Sequence, residues 1–242
     1  PAYGLWRTLK GKVEADGFVF RGEGADEFWI GSYFSRASVI RARLEGFIIA
    51  DDVTIEDQTG AWAGITWVGE VPAAPPGVFA FTGRRGFPVS RDWVYRREPR
   101  AGRAGARLEA ETVERARIAA RMPAVPADAG PGDLPNEAGL DADAVSYTKG
   151  CYLGQEVMAR LKAMGQVRRR LVRVTGTGSS PIALPAAVFA GERQVGEVRS
   201  AIADGAGGWL GLAMVSNLHV KADSELAFSA IGPASLRLLD AP

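Results

Sequence analysis

The sequence predicts an α+β fold that ends in a small β-barrel, and two observations carry this prediction. The N-terminal stretch reads strand, turn, strand, helix and strand, which is the order of a split βαβ module. The C-terminal stretch is a succession of short apolar runs punctuated by glycine, which is typical of a small barrel or sandwich. We therefore divide the chain into an α+β region, residues 1–165, and a barrel, residues 166–242.

The N-terminal region opens with two apolar runs, 4–9 and 13–20, separated by the composition of a tight turn. Apolar side chains then recur at helical spacing within 28–46 and predict a helix that ends at a glycine. The apolar run 47–50 is typical of a buried strand. Because the chain begins at Pro1, inside this pattern, we expect the whole protein to have a further N-terminal segment.

The middle of the chain alternates short strands with two more helices. Apolar runs between Gly and Pro breaks predict strands within 61–97, and helices are predicted at 108–122 and 155–164. The segment 123–135 holds four prolines and is predicted to be an irregular loop. The strands predicted for the barrel are 171–174, 187–189, 195–198, 209–215, 225–228 and 236–239.

Composition excludes several classes of function. Among the 242 residues, 47% are hydrophobic and 24% charged, as in ordinary globular proteins. No apolar run approaches the ~18 residues that span a bilayer, so we expect no membrane partner. The single cysteine excludes intrachain disulfides and fits a reducing compartment, so we expect a cytoplasmic protein. One cysteine and one histidine, His219, cannot supply the ligands of a cluster, so we expect no stably bound metal.

The single cysteine lies in the octet Lys149-Gly150-Cys151-Tyr152-Leu153-Gly154-Gln155-Glu156. This octet resembles the K-G-C-[YF]-x-G-Q-E motif of the YgfZ family, and the resemblance continues through residues 135–140 and 160–171. YgfZ proteins are folate-binding relatives of the glycine-cleavage T protein, linked to iron–sulfur enzyme maturation or repair and to tRNA modification. The resemblance implies a T-protein-like fold with split βαβ modules and a C-terminal β-barrel. It also implies tetrahydrofolate or a derivative as ligand, and iron–sulfur assembly or client proteins as partners.

Cys151 is the candidate functional thiol. A lone cysteine is most often a small buried side chain. Here the cation of Lys149 and the N-terminus of the following helix would lower the pKa of the thiol. Glycines 150 and 154 would allow a ligand to approach the backbone closely. T proteins lack this cysteine, so the resemblance favours a functional, accessible thiol in a YgfZ-type protein.

The candidate folate ligands come from the same region. A carboxylate at Glu137, in the proline-rich loop, can accept two hydrogen bonds from the amino-pyrimidine edge of a pterin, although loop carboxylates are commonly only solvated. Glu156 and Arg160 stand four residues apart, so an i,i+4 ion pair is the structural alternative for them. The full set implied by the resemblance is Glu137, Tyr147, Lys149, Gln155, Glu156 and Arg160.

The consecutive bases Arg168, Arg169 and Arg170 are a candidate anion site. Residues 149–173 carry seven Lys and Arg against one acid. Such a run can bind phosphates or the polyglutamate tail of a folate, or it can form a polar junction between helix and barrel. Basic residues beside a barrel also permit association with tRNA.

Two departures from the family pattern bear on activity. Ala119 stands where relatives often carry a glutamate, and Val113 where some place a folate-stacking tryptophan. Ala15 and Asp16 stand where the T protein has paired aspartates. Aminomethyl transfer is therefore disfavoured, and weak or altered folate binding is expected. The alternatives to an accessory protein are a folate-dependent one-carbon transferase and an RNA-associating module.

Overall fold

The computed structural model describes residues 1–97, 106–178 and 183–240. The first sheet is antiparallel, with strands β1 (Ala2–Arg7), β2 (Val13–Arg21) and β3 (Phe28–Gly31) in that order. Helix α1 (Ala37–Glu45) follows. The hairpin and the helix are confirmed, but the strand predicted at 47–50 is wrong.

Residues 47–50 form bends on the surface, and Ile49 is 92% exposed. A short apolar run makes a buried strand only when a neighbouring strand offers its edge, and β1 and β3 are the outer strands of a sheet that this segment does not join. Within residues 1–97 no strand lies between α1 and the strand that begins at Trp62, so the split βαβ order expected there is not formed.

The second sheet contains β4 (Trp62–Val68), β5 (Phe79–Phe81) and β6 (Ser90–Arg96), in the order β4-β6-β5. It packs against the first sheet through an aromatic cluster around Phe18, Phe20 and Phe81. Helices α2 (Ala110–Ala119), α3 (Asp141–Ala144) and α4 (Gln155–Met164) follow, and α4 has the bounds predicted from sequence. Residues 98–105, which follow the segment of strands predicted at 61–97, lie outside the described ranges.

The third sheet is antiparallel, with the order β11-β7-β10-β9-β8. Its strands are β7 (Arg169–Thr177), β8 (Ala186–Ala190), β9 (Arg193–Ala203), β10 (Gly208–Ser216) and β11 (Leu236–Leu238). The strand predicted at 225–228 is reduced to two isolated bridges, from Ala227 to Phe189 and from Leu226 to Leu236. In the described residues the sheet is therefore a curled half-barrel whose outer strands, β11 and β8, each form a bridge to the segment 226–227.

The two faces of this sheet bury different cores because successive side chains of a strand point to opposite sides. On one face, Val172 and Val174 pack in a core built within the C-terminal region. On the other face, Leu171 packs with Val13 and Ile118 from the N-terminal region. The proline-rich loop and α2 are thereby fixed against the half-barrel, and the boundary predicted at residue 165 stays a prediction.

Candidate functional site

Two adjoining cavities surround the segment that joins α4 to β7. The larger has a volume of about 840 Å³ and the smaller about 390 Å³. Leu161 and Val167 line both, so these two side chains form a partition between them. Because α4 ends at Gly165, with a left-handed φ of 66°, the chain turns sharply there and passes between the cavities before β7 begins.

Glu137 lies on the wall of the larger cavity, at the end of a short 3-10 turn, Pro135–Glu137. Its side chain is only 5% exposed. Oε2 accepts a hydrogen bond from the backbone N–H of Leu134 at 2.7 Å and from Nη2 of Arg169 at 3.0 Å. Oε1 accepts one from Nε of Arg169 at 3.1 Å. The carboxylate thus receives two parallel N–H donors from one planar group, the arrangement that was expected for a pterin edge.

Arg169 takes part in a polar junction between the loop and the half-barrel, which is the alternative that the sequence left open for the arginine run. Besides Glu137 it binds Asp133, with Nη2 at 3.0 Å from Oδ1. Burial lowers the pKa of Arg169, but its hydrogen bond to Glu137 and the charges of Glu137 and Asp133 outweigh burial and raise the pKa above the ordinary value. The physical reason for this pairing is that two buried carboxylates need a cation, and the first residue of β7 supplies it.

The same ionic network ties the proline-rich loop to β9. Asp133 also pairs with Arg199, and Arg199 pairs with Glu197 at 2.8 Å. Deeper in the junction the buried pair Arg117–Asp128 has a separation of 2.6 Å. These pairs fix the loop that carries Glu137, so Glu137 is held in place from both regions of the chain.

The other two arginines of the run diverge. Arg168 is exposed and lines the larger cavity, whereas Arg170 is half-buried and lines the smaller one. Neither guanidinium forms a hydrogen bond or an ion pair with another residue in the described ranges. The three arginines of the predicted anion site therefore have three different environments, because neighbouring residues of an extended chain point to different sides.

Cys151 is exposed and lines neither cavity. It lies on the turn before α4, next to Tyr152. Two cationic side chains lie over the ring of Tyr152. The Lys149 Nζ lies 5.1 Å from the ring centroid, and the Arg7 guanidinium carbon 4.9 Å. The structure therefore places two cations against the residue that follows Cys151.

The two motif glycines differ. Gly154 has a φ of 74°, and a Cβ there would lie 3.0 Å from Gly11 Cα and from the Thr8 carbonyl oxygen. Gly150 has open space around it. Gly154 therefore allows the β1–β2 hairpin to approach the turn closely, so its conformational freedom serves packing within the protein.

The remaining predicted folate residues are scattered around this turn. Tyr147 lines the smaller cavity, and Lys162 Nζ lies 4.2 Å from its ring centroid. The Gln155 side chain accepts a hydrogen bond from the backbone N–H of Tyr152 at 3.3 Å, so it closes the turn. Residues that line neither cavity are Lys149, Gln155, Glu156 and Arg160. Glu156 and Arg160 are exposed and do not pair with each other in the described structure.

Sequence reasoning named Asp16 but missed the polar cluster that surrounds it. Asp16 is 4% exposed, and its carboxylate accepts hydrogen bonds from the hydroxyls of Tyr3, Ser32 and Ser35 at 2.9, 2.7 and 2.8 Å. Burial first, and the charge of Asp16 second, raise the pKa of Tyr3 above the ordinary value. The Arg84 guanidinium lies 4.3 Å over the ring of Tyr3. The signal in the sequence was an aspartate at a buried position of β2.

Asp92 repeats this arrangement on β6. It is 3% exposed and accepts hydrogen bonds from the hydroxyl of Tyr33 and, at 2.6 Å, from that of Thr66. Arg85 covers the ring of Tyr33 at 4.1 Å. Burial raises the pKa of Asp92 to about 7. Two buried tyrosine–aspartate pairs thus lie under adjacent arginines of one loop.

His219 is exposed on the wall of the larger cavity. Its ring nitrogens lie 3.1 and 3.0 Å from Nη1 of Arg193. No group of three His, Cys, Asp or Glu side chains in the described ranges could hold a metal ion. None of the helices in this part of the chain has the length and apolar character needed to cross a membrane.

Three curated relatives, each named tRNA-modifying protein YgfZ, match parts of this chain. The protein of Vibrio atlanticus (strain LGP32) is 35% identical over 81 residues, which are 34% of this chain and 22% of the relative. That of Vibrio vulnificus (strain CMCP6) is 41% identical over 76 residues, 31% of this chain and 23% of the relative. That of Sodalis glossinidius (strain morsitans) is 35% identical over 125 residues, 46% of this chain and 38% of the relative.

Parts of the chain are therefore similar to YgfZ proteins. The matched segments cover between 22% and 38% of the curated relatives' own lengths. No protein-family model matches the chain. The crystal structure of glycine cleavage system aminomethyltransferase T from Bartonella henselae matches 99% of this chain and 74% of that protein, with a TM-score of 0.71 and 14% identity. This likeness shows that the chain has a T-protein-like fold.

Proposed function

We propose that this chain is a YgfZ-like, folate-binding accessory protein that supports the maturation or repair of iron–sulfur enzymes, and thereby tRNA modification. The observation that carries the proposal is the exposed Cys151 in the YgfZ motif, on a T-protein-like fold. The relatives' name, tRNA-modifying protein, supports the link to tRNA. The client would be an iron–sulfur enzyme that modifies tRNA, acting in the cytoplasm.

Cys151 would act within a complex. A stable cluster needs about four thiolate or imidazole ligands, and this chain has one cysteine and one histidine. The exposed thiol would lend one ligand, or one nucleophile, to an exchange whose other ligands belong to a partner chain or a small thiol.

Reduced folate would bind with its amino-pyrimidine edge at Glu137. The residues present fit this ligand, because a buried carboxylate on a cavity of about 840 Å³ already accepts two parallel N–H bonds. The guanidinium of Arg169 and the amino-pyrimidine edge present the same N–C–N donor geometry. Folate would therefore take the place of Arg169, which retains Asp133 as a partner. This exchange replaces an ion pair by hydrogen bonds from an uncharged ring edge, so only modest affinity is expected.

The test of the accessory role is complementation of a deletion strain, scored by the activity of an iron–sulfur tRNA-modifying enzyme under oxidative stress. Cys151→Ser should fail to restore activity although the fold is intact, since the side chain is exposed and replaced by one of similar size. Thr148→Ser, an exposed neighbour in the same turn, is the matched control and should complement fully. If Cys151→Ser complements as well as the unaltered protein, the thiol role is wrong.

A second candidate function is a folate-dependent one-carbon transferase, and one observation favours it. Asp16, the aspartate kept at the T-protein position, is buried and fixed by three hydroxyl donors. Ala15, in place of the other aspartate, speaks against it. A turnover assay with tetrahydrofolate and an aminomethyl donor decides: transfer that Asp16→Asn abolishes would establish the transferase, and no transfer would leave the accessory role.

A further inference from the structure

The segment that follows α1 exposes a series of apolar side chains. Phe47 is 58% exposed, Ile49 92% and Val53 55%. Single exposed apolar side chains are common, but several of them in one short stretch mark a surface that binds a partner. The composition of residues 47–50 is that of a buried strand, and the part of the chain that the structure describes leaves this run on the surface.

The same stretch is strongly acidic. Residues 45–57, which we call the acidic–apolar segment, contain no lysine or arginine and five exposed acids, Glu45, Asp51, Asp52, Glu56 and Asp57. Glu45 pairs with Arg41 of α1, whereas the other four acids form no ion pair with a base in the described ranges. Their negative charge is therefore available to a partner.

We propose that the acidic–apolar segment is a docking surface for a basic, apolar segment of the partner protein with which Cys151 acts. This inference rests on the proposed function and names the chemistry of that partner. Lysine and arginine side chains of the partner would pair with the acids, and its apolar side chains would cover Phe47, Ile49 and Val53. The charge disfavours a nucleic acid or an anionic membrane as the occupant, since both are negative themselves.

A chain of contacts joins the start of the acidic–apolar segment to the turn that carries Cys151. The guanidinium carbon of Arg43 lies 5.1 Å from the ring centroid of Phe47. Nη2 of Arg43 donates a hydrogen bond to the carbonyl oxygen of Arg7 at 2.6 Å. The guanidinium of Arg7 lies over the ring of Tyr152, the residue that follows Cys151. A partner bound to the segment is therefore held near this turn, where the thiol is exposed.

Fluorescence anisotropy with a labelled amphipathic peptide of leucine and lysine tests the surface directly. The unaltered protein should bind this probe, and should bind a peptide with serine in place of each leucine more weakly. Ile49→Ser should weaken binding of the leucine–lysine peptide about tenfold, as expected for one apolar side chain removed from an interface. Val89→Ser, which removes an exposed valine just before β6, is the matched control and should not change binding.

The acids are tested in the same assay. The double variant Asp51→Asn, Asp52→Asn should bind the leucine–lysine peptide more weakly than the unaltered protein, and its binding should depend less on salt concentration. Binding of the double variant with the affinity and salt dependence of the unaltered protein would overturn the role of charge in the proposal.

Complementation of the deletion strain connects the surface to the function. Ile49→Ser should lower the activity of the iron–sulfur tRNA-modifying enzyme, although its urea unfolding should match that of the unaltered protein because the side chain is exposed. If Ile49→Ser complements fully while Cys151→Ser does not, the docking surface is wrong and the thiol role stands. If Ile49→Ser fails and Cys151→Ser complements, the docking surface stands and the thiol role is wrong.

Three results of the binding experiments would overturn the docking surface. The first is that the unaltered protein does not bind the leucine–lysine peptide, or that Ile49→Ser binds it within twofold. The second is equal binding of the serine–lysine peptide, since apolar contact would then contribute nothing. The third is a dimer in sedimentation velocity that Ile49→Ser dissociates, which would assign the surface to a second copy of this chain.

Discussion

Replacing Asp92 with asparagine should make the protein less sensitive to pH, because this buried carboxyl titrates in the neutral range. Burial raises its pKa from 3.8 to about 7. A carboxyl with a raised pKa binds its proton more tightly in the folded protein than in the unfolded chain. Its contribution to stability is therefore full below pH 3.8 and is lost as pH rises to about 7.

The size of the effect follows from the shift. One pKa unit corresponds to about 1.4 kcal/mol, so a shift of about three units gives at most about 4 kcal/mol. The two hydroxyl donors, Tyr33 and Thr66, reduce the cost of the ionised form, so this figure is an upper limit. Asparagine keeps the shape of the protonated acid and carries no charge at any pH.

Urea unfolding at pH 4.5 and pH 8 measures this. We subtract the unfolding free energy of the unaltered protein from that of Asp92→Asn at each pH. This difference should be larger at pH 8 than at pH 4.5 by several kcal/mol, because only the unaltered protein loses stability as the pH rises. Asp26→Asn, at an exposed position of the β2–β3 turn, should show no such movement. An Asp92→Asn difference that is the same at both pH values would refute the argument that burial keeps this carboxyl protonated near neutrality.

Two further predictions concern the motif. Gly154→Ala should lower the unfolding free energy by about 1–3 kcal/mol, because Gly154 combines a left-handed φ with a close contact to the β1–β2 hairpin. Gly150→Ala is the control and should change the unfolding free energy by no more than about 0.5 kcal/mol. Equal losses for the two variants in thermal or urea unfolding would contradict the assignment of Gly154 to packing. Cys151 should react with a thiol reagent in the native protein, because its side chain is exposed, whereas a Cys151 that reacts only after denaturation would make it a structural residue.

Local pattern predicted most of the elements because their signals are short-range. Helix α4 was predicted with its observed bounds, since a glycine stands directly before and after its apolar periodicity, and both glycines adopt left-handed φ. The half-barrel strands were predicted for a similar reason, as apolar runs between turn residues. The run 47–50 has the same composition but no strand edge to join, and composition alone does not contain that information.

The candidate site was harder to predict because its contacts join distant parts of the chain. Glu137 and the arginine run were both named from sequence. The sequence did not predict that Arg169 would pair with the carboxylate of Glu137 while Arg168 and Arg170 would not. The pairing of Tyr33 with Asp92 spans 59 residues and has no local pattern. A buried polar residue in a strand is the signal that sequence reasoning could use, and its partner is set by the fold.

The central claim is that the buried carboxylate of Glu137 binds a reduced folate. Titration calorimetry of the unaltered protein with tetrahydrofolate, or with a stable formyl derivative, tests it directly. We expect measurable heat, binding weakened about tenfold or more in Glu137→Gln, and no change in Glu225→Gln, which alters an exposed glutamate of the C-terminal region. No heat and no competition at millimolar ligand, with the protein shown to be folded, would contradict the claim.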